Sequence, residues 1–275
     1  MIGTGLEIVM AGLRMMGMED RAARGRHVLN HLFWLEQSAL PVEYLGALFP
    51  QVHGSAVAVT PDVAHPFELP YGERLVLAAI CRWLEPRRIF EFGTFTGTTT
   101  RLLADLAPEA AIETVDLPAD EMVHDPWVDE VVGLAFDSPE YAHRIRQHRV
   151  NTRNLDYAAL EGPWDLIFVD ASHEYEDVLH DSRRALEMVS PTGLIIWDDY
   201  QPAVPGVVRA LNEMQEGGCP IVRIASTRLA VHRPAGLPEV TPSRPWSPAP
   251  DRGRPRRDLG AYGAPRPGVG GAAQG

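Results

Sequence analysis

Apolar and polar positions along the chain fall into blocks whose period changes. From Tyr71 to Leu84 the apolar residues Leu75, Val76, Ala79, Ile80 and Trp83 recur at helical spacing, so one helix face is buried. Pro86 stops that helix, and Arg88 to Phe92 is a short, bulky, mostly apolar run that reads as a buried strand. Gly93 to Gly97 is then a turn and Thr98 to Leu106 a helix. The alternation continues with a strand over 111–116, a helix over Ser138 to Gln147, a strand over 148–152 and a strongly apolar strand over Trp164 to Asp170. A helix from Tyr175 to Val189 follows. After the turn Pro191-Thr192-Gly193 come a strand over Leu194 to Trp197 and a helix over residues 205–215. Ile221 to Ala225 and Leu229 to His232 are two short strands across Ser226-Thr227, a hairpin. Strands alternating with helices predict an α/β fold built on an open, mostly parallel sheet, closed by that hairpin.

The flanks break the pattern. Arg21 to Ser38 carries Val28, Leu29, Leu32, Phe33 and Leu35 on one helical face, and Leu6 to Met16 is a weaker helical stretch. Residues 41–70 hold many prolines and no sustained period, as in an irregular connector that serves as a lid or packing arm. Residues 119–137 form an insertion with no readable chemistry. Residues 233–275, rich in proline, glycine and arginine, cannot bury enough surface to offset their ordering entropy, so they read as a disordered tail. The chain thus divides into a helical and irregular N-terminal extension (1–70), an α/β domain (71–232) and a tail (233–275).

Composition narrows the function classes. The formal charge is −12 over 275 residues, and every cation other than histidine is an arginine, since the chain has no lysine. Such an acidic protein is a poor non-specific partner for nucleic acid or an anionic membrane. Cys81 and Cys219 are too few and too far apart for a metal framework or a disulfide scaffold. No signal peptide or membrane span is legible, so the expectation is a cytoplasmic enzyme acting on a small molecule, with the N-terminal helices as a surface for a homo-oligomer.

The chemistry gathers at the carboxyl ends of the strands, where open α/β sheets bind ligands. Glu91-x-Gly93-x-x-x-Gly97 lacks the third glycine of a dinucleotide fingerprint and places an acid inside the turn. An acid there repels a pyrophosphate but suits a ligand that carries an amino group. The alternative is a tight strand-to-helix turn with no ligand. Asp116, at the tip of the next strand, either grips ribose hydroxyls or is a solvated strand end. Asp170, Asp198 and Asp199 point three acids at one crevice. They repel one another unless a cation or a hydrogen-bonding substrate sits between them, and oxygen-only ligands suit Mg²⁺. The bland reading makes one acid a helix cap and another solvated. His173 lies in the loop above the same edge and is either solvated or the general base, a role its ordinary pKa of ~6.5 suits.

The glycine turn resembles the first motif of class I S-adenosylmethionine-dependent methyltransferases. The run Phe168-Val169-Asp170-Ala171-Ser172-His173-Glu174-Tyr175, followed by Gly193 to Tyr200, resembles a subfamily with Asp-x-x-His-x-Tyr and Trp-x-Asp-Tyr motifs, similar to macrocin-type O-methyltransferases. Tyr71-Gly72-Glu73-Arg74 and Tyr141-Ala142-x-Arg144-Ile145-x-Gln147 share the likeness, which spans about residues 70–232. The resemblance implies a Rossmann-like, seven-stranded methyltransferase sheet with an antiparallel last strand. It implies S-adenosylmethionine held by Glu91, Gly93, Thr94, Gly97, Asp116, Asn151 and Asp170, with His173 and Asp170 in catalytic roles and Mg²⁺ on Asp170, Asp198 and Asp199. Position 198 is often His in that subfamily and is Asp here, and Val150-Asn151-Thr152 stands where relatives have Gly-Asp-Ser. The implied activity is O-methylation of a natural-product sugar or phenol. The rivals are a nucleotide- or NAD-dependent enzyme on a similar sheet and a catalytically silent cofactor-binding module.

Overall fold

Burial alternates along the first central strand, β2 (Arg88–Phe92). Phe90 and Phe92 pack on one face of the sheet, while Ile89 packs on the other and Glu91 follows it there. The computed structural model describes residues 38–52, 57, 69–121 and 130–232. All of them lie in the compact unit Met1–Pro242, and none in the second unit, Ser243–Gly275. The helices expected before Ser38, most of the 53–68 connector, residues 122–129 and the tail lie outside the described residues.

The remaining strands are β1 (Val42–Glu43), β3 (Ala111–Asp116), β4 (Ile145–Arg149), β5 (Trp164–Val169), β6 (Val189–Trp197), β7 (Ile221–Ile224) and β8 (Ala230–His232). They form one sheet in the order β1-β7-β8-β6-β5-β2-β3-β4. Neighbours pair in parallel except across β8, which runs antiparallel to both β6 and β7. The antiparallel last strand is therefore as expected. The eighth strand is an addition. Two residues of the N-terminal extension pair with the edge of β7, where Arg223 N donates to Pro41 O and Ala225 N to Glu43 O, each near 2.9 Å. A two-residue strand beside a proline carries no period for sequence reading to detect.

Helices α2 (Tyr71–Leu84) and α3 (Thr98–Leu106), with the short α1 (Leu45–Leu48), cover one face of the sheet. Helices α4 (Tyr175–Met188) and α5 (Pro205–Glu216) cover the other. The second core holds Trp164 and Trp197, each at most 2% exposed, and the Trp197 indole N–H is satisfied by Ser182 Oγ at 2.9 Å. Cys81 is a buried free thiol whose pKa burial pushes up to about 12, so it is inert, as its apolar surroundings imply.

Two expectations fail locally. The segment 138–144 forms turns instead of a helix, and the strand begins at Ile145 instead of 148. Tyr141 Oη donates to Asp105 Oδ1 at 2.8 Å and Arg144 bonds the Ala104 carbonyl at 2.6 Å. Those bonds hold the segment flat against α3 and deliver it early to the sheet edge. In β6 the strand starts at Val189, with Pro191 to Gly193 as an irregularity opposite β5.

Candidate functional site

Side chains in a strand alternate between faces. Leu166 and Phe168 of β5, and Leu194 and Ile196 of β6, all pack on the α2–α3 side. Continuing the alternation brings Asp170 and Asp198 to that side, with Glu91 of β2 and with Thr114 and Asp116 of β3. The carboxyl edge of the sheet is therefore lined by acids from four neighbouring strands.

The glycine turn is built for contact between protein segments. A Cβ on Gly93 would sit 2.0 Å from the Asp170 carbonyl oxygen, and the residue has φ +92°. This glycine lets the turn cross the end of β5. Gly97 has φ +79°, and a Cβ there would lie 2.6 Å from the Phe136 ring. Phe136 belongs to a 3₁₀ turn, Leu134–Phe136, at the end of the insertion whose role was not readable from sequence.

Asp116 is engaged by the same turn. Its Oδ2 accepts from the backbone N–H groups of Thr94 (3.0 Å) and Phe95 (2.7 Å), and its Oδ1 from Leu117 (2.7 Å). Two turn donors that a pyrophosphate would need are thus taken by a carboxylate. Thr94 Oγ1 also meets Thr114 Oγ1 at 2.7 Å. Asn151 caps a 3₁₀ turn (Thr152–Asn154) by accepting from Arg153 N, and its amide donates to Glu121 at 2.8 Å.

Glu91 is fully buried. Its Oε2 accepts from Thr100 and from Thr114 (2.8 Å), while Oε1 has no partner. Burial pushes its pKa up to about 7. Asp181 on α4, 2% exposed, is pushed up to about 7 by burial as well. Burial also raises Asp198, and burial with the nearby carboxylates of Asp198, Asp199 and Glu91 raises Asp170. Each of these acids binds its proton more tightly folded than unfolded. Their contribution to stability is fully present below the unfolded values and is lost as pH rises through the folded ones. His173, raised by its Asp199 bond, acts in the same direction. The melting temperature is expected to be lower at pH 8 than at pH 6, and Glu91→Gln together with Asp181→Asn should flatten that slope. Scanning calorimetry at both pH values checks this; a rise in stability from pH 6 to 8 contradicts it.

His173 Nε2 lies 2.9 Å from Asp199 Oδ2. The imidazole is about half exposed and the carboxylate largely buried. The loop is seated on α5, where a Cβ at Gly206 would lie 2.1 Å from the His173 carbonyl oxygen. Burial opposes ionisation of Asp199, but its bonds to His173 and Arg228 outweigh that and lower its pKa. Asp199 itself adopts φ +57°.

Sequence reading missed Arg228, in the turn between β7 and β8. Its guanidinium reaches Asp199 Oδ1 (2.8 Å), Asp198 Oδ2 (3.2 Å) and Glu73 Oε2 (3.0 Å). The partners lie 29, 30 and 155 residues away in sequence, beyond any local motif. Among the described residues, the side-chain group with the convergence a metal ion requires is Asp170, His173 and Asp199, not the expected trio with Asp198. Asp198 gives one oxygen to Arg228, and its Oδ1 is buried without a partner among the described residues.

The strand order and the closing antiparallel hairpin define a Rossmann-like sheet. Residues 90–200, from within β2 to Tyr200, match the family model described as a methyltransferase domain. The match holds every expected site residue, while Glu73, Gly206 and Arg228 lie outside it. No curated protein sequence matches the chain. Among solved structures it is similar in fold to cofactor-bound Rv0187 from MTB, at 18% identity and TM-score 0.51 over 68% of this chain and 87% of that one. A putative O-methyltransferase from Klebsiella pneumoniae has 21% identity and TM-score 0.46, over 76% of this chain and 97% of that one. The O-methyltransferase TomG from Streptomyces achromogenes, involved in tomaymycin synthesis and solved with S-adenosylmethionine, has 19% identity and TM-score 0.45, over 75% and 96%. Among the described residues no helix is long and apolar enough to cross a membrane.

Proposed function

We propose that the protein is an S-adenosylmethionine-dependent O-methyltransferase for a small hydroxylated acceptor, a natural-product sugar or a phenol. The observation that carries the reading is the His173–Asp199 pair at the acid-lined edge of a matched methyltransferase domain. The residues suit a cationic ligand. Glu91 Oε1 and Asp198 Oδ1 are buried carboxylate oxygens without a partner among the described residues, and an unpaired buried acceptor favours a cation or an N–H donor. Glu91, Thr94, Gly97, Asp116, Asn151 and Asp170 would surround the cofactor, Gly93 being needed for the chain crossing beneath it. When bound, the cofactor supplies an electrophilic methyl group on a sulfonium whose leaving group is a neutral thioether.

What remains for the protein is alignment and proton removal. With Nε2–H donating to Asp199, the neutral imidazole presents the Nδ1 lone pair to the acceptor hydroxyl. The proton moves to Nδ1, and the imidazolium that forms is stabilised by the Asp199 carboxylate. The bond to Asp199, which raises the pKa of His173, supports the same stabilisation from the acid side. Asp170, beside this pair, is placed to accept a hydrogen bond from the acceptor.

Calorimetry of the full chain with S-adenosylhomocysteine is expected to give one site, and Glu91→Gln should weaken it. Incubation with methyl-labelled cofactor and a panel of sugars and phenols should transfer label to oxygen. Binding of NAD with none of S-adenosylhomocysteine would sink the assignment and favour the nucleotide-dependent rival.

A further inference from the structure

We propose that Arg228 is the resident cation of the crevice: it gathers Asp198 and Asp199 in place of a divalent metal and positions Asp199 against His173. Only the purpose of that positioning rests on the methyl-transfer reading above; the cation role does not.

The arginine is held at both ends. Its backbone N–H donates to Glu73 Oε1 at 2.7 Å, and its carbonyl accepts from Tyr200 N at 2.9 Å. At the other end the planar fork of donors reaches three carboxylates from α2 and the end of β6. A side chain tied at the backbone and at the guanidinium has little rotamer freedom left to lose.

Its grip divides the oxygens of Asp199. Oδ1 takes the Arg228 Nη1 donor at 2.8 Å and the Gln201 amide at 2.6 Å, and Oδ2 is left for the imidazole at 2.9 Å. The carboxylate cannot rotate without breaking two bonds on its far side, so the ring it contacts is fixed in orientation. Arg228 is in this sense a positioning residue.

The same grip disfavours a divalent ion. Mg²⁺ demands near-octahedral oxygen ligands at short distance. The convergent group Asp170, His173 and Asp199 depends on Asp199, whose Oδ1 faces the guanidinium and whose Oδ2 faces the imidazole, and Asp198 Oδ2 faces the guanidinium as well. A dication placed among them would sit beside a fixed positive charge and would displace the imidazole proton. The subfamily likeness implies Mg²⁺ at these acids; this chain's own residues answer their charge from within.

The test is titration of the full chain with Mn²⁺, read by electron paramagnetic resonance of the free ion. The wild type is expected to leave the signal unchanged at equimolar metal. Arg228→Met keeps the length of the stem and removes the charge. It should gain one Mn²⁺ site, lost again when Asp199→Asn is added. Arg228→Lys keeps a charge and should gain none. A site in the wild type that Asp199→Asn abolishes overturns the inference, and so does a folded Arg228→Met that binds no metal. If Arg228→Met loses its near-ultraviolet circular dichroism, the wild-type and Arg228→Lys titrations decide: metal bound by either overturns it, and no metal on both supports it. S-adenosylhomocysteine calorimetry on the same samples separates the two readings. Cofactor bound together with Mn²⁺ in the wild type sinks the cation role alone. No cofactor bound sinks the methyltransferase reading and leaves the metal result standing.

Discussion

Removal of the His173 imidazole by His173→Ala is expected to lower turnover about 10²–10⁴-fold, the usual span for a lost general base, with S-adenosylhomocysteine affinity retained. The chain has no lysine, so a lysine base is excluded here. Arg228 cannot replace it, because its three carboxylate partners raise an already high pKa further. Asp199 is held ionised below the ordinary carboxylate range, and a weakly basic carboxylate is a poor proton acceptor near neutral pH. His173 is half exposed at this edge, and its bond to Asp199 raises its pKa above the ordinary histidine value. Asp199→Asn should cost less than His173→Ala, since it spares the base and removes only its orientation and the stabilisation of the imidazolium. Steady-state turnover on the acceptor found by methyl-label screening, with calorimetry for the cofactor, makes the comparison. Near-normal turnover in His173→Ala would refute the base assignment.

A single methyl group at position 93 should come close to abolishing the fold. In Gly93→Ala the new Cβ meets the Asp170 carbonyl oxygen at 2.0 Å and its carbon at 2.6 Å, both backbone atoms at the end of a central strand. The residue must also hold φ +92°, outside the left-handed well that L-residues tolerate. Left-handed backbone costs about 1–2 kcal/mol for a non-glycine residue and overpacking a further ~1–3. The expected loss of about 2–5 kcal/mol is a large part of the total stability of a domain. Gly72→Ala is the control. Nothing lies within 4 Å of a Cβ there, and alanine is the better helix former by up to ~1 kcal/mol. Thermal unfolding of the two variants should move in opposite directions. Gly93→Ala with a wild-type melting temperature would mean that the turn can shift away from β5.

The sheet was legible because its strands are short apolar runs bounded by glycine, proline and acids. Helix α2, strand β2, helix α3 and strand β3 lie at the residues that periodicity predicts. The helix expected over Ser138 to Gln147 does not form, because the Tyr141 and Arg144 bonds to α3 compete with it.

By itself the sequence determined the α/β alternation, the antiparallel hairpin at the end, and the placement of Glu91, Asp116, Asp170, Asp198 and His173 at one edge of the sheet. Each of these follows from local period and strand order, because a parallel sheet brings all its carboxyl ends to the same side. Only the tertiary structure decided what those groups do to one another. It closed Asp116 onto the turn, buried Glu91 against two threonines, and set Asp199 between His173 and Arg228. The reason is physical. Charge pairing acts through space over a few ångströms, so an arginine 155 residues from Glu73 can neutralise it without leaving any pattern in the chain.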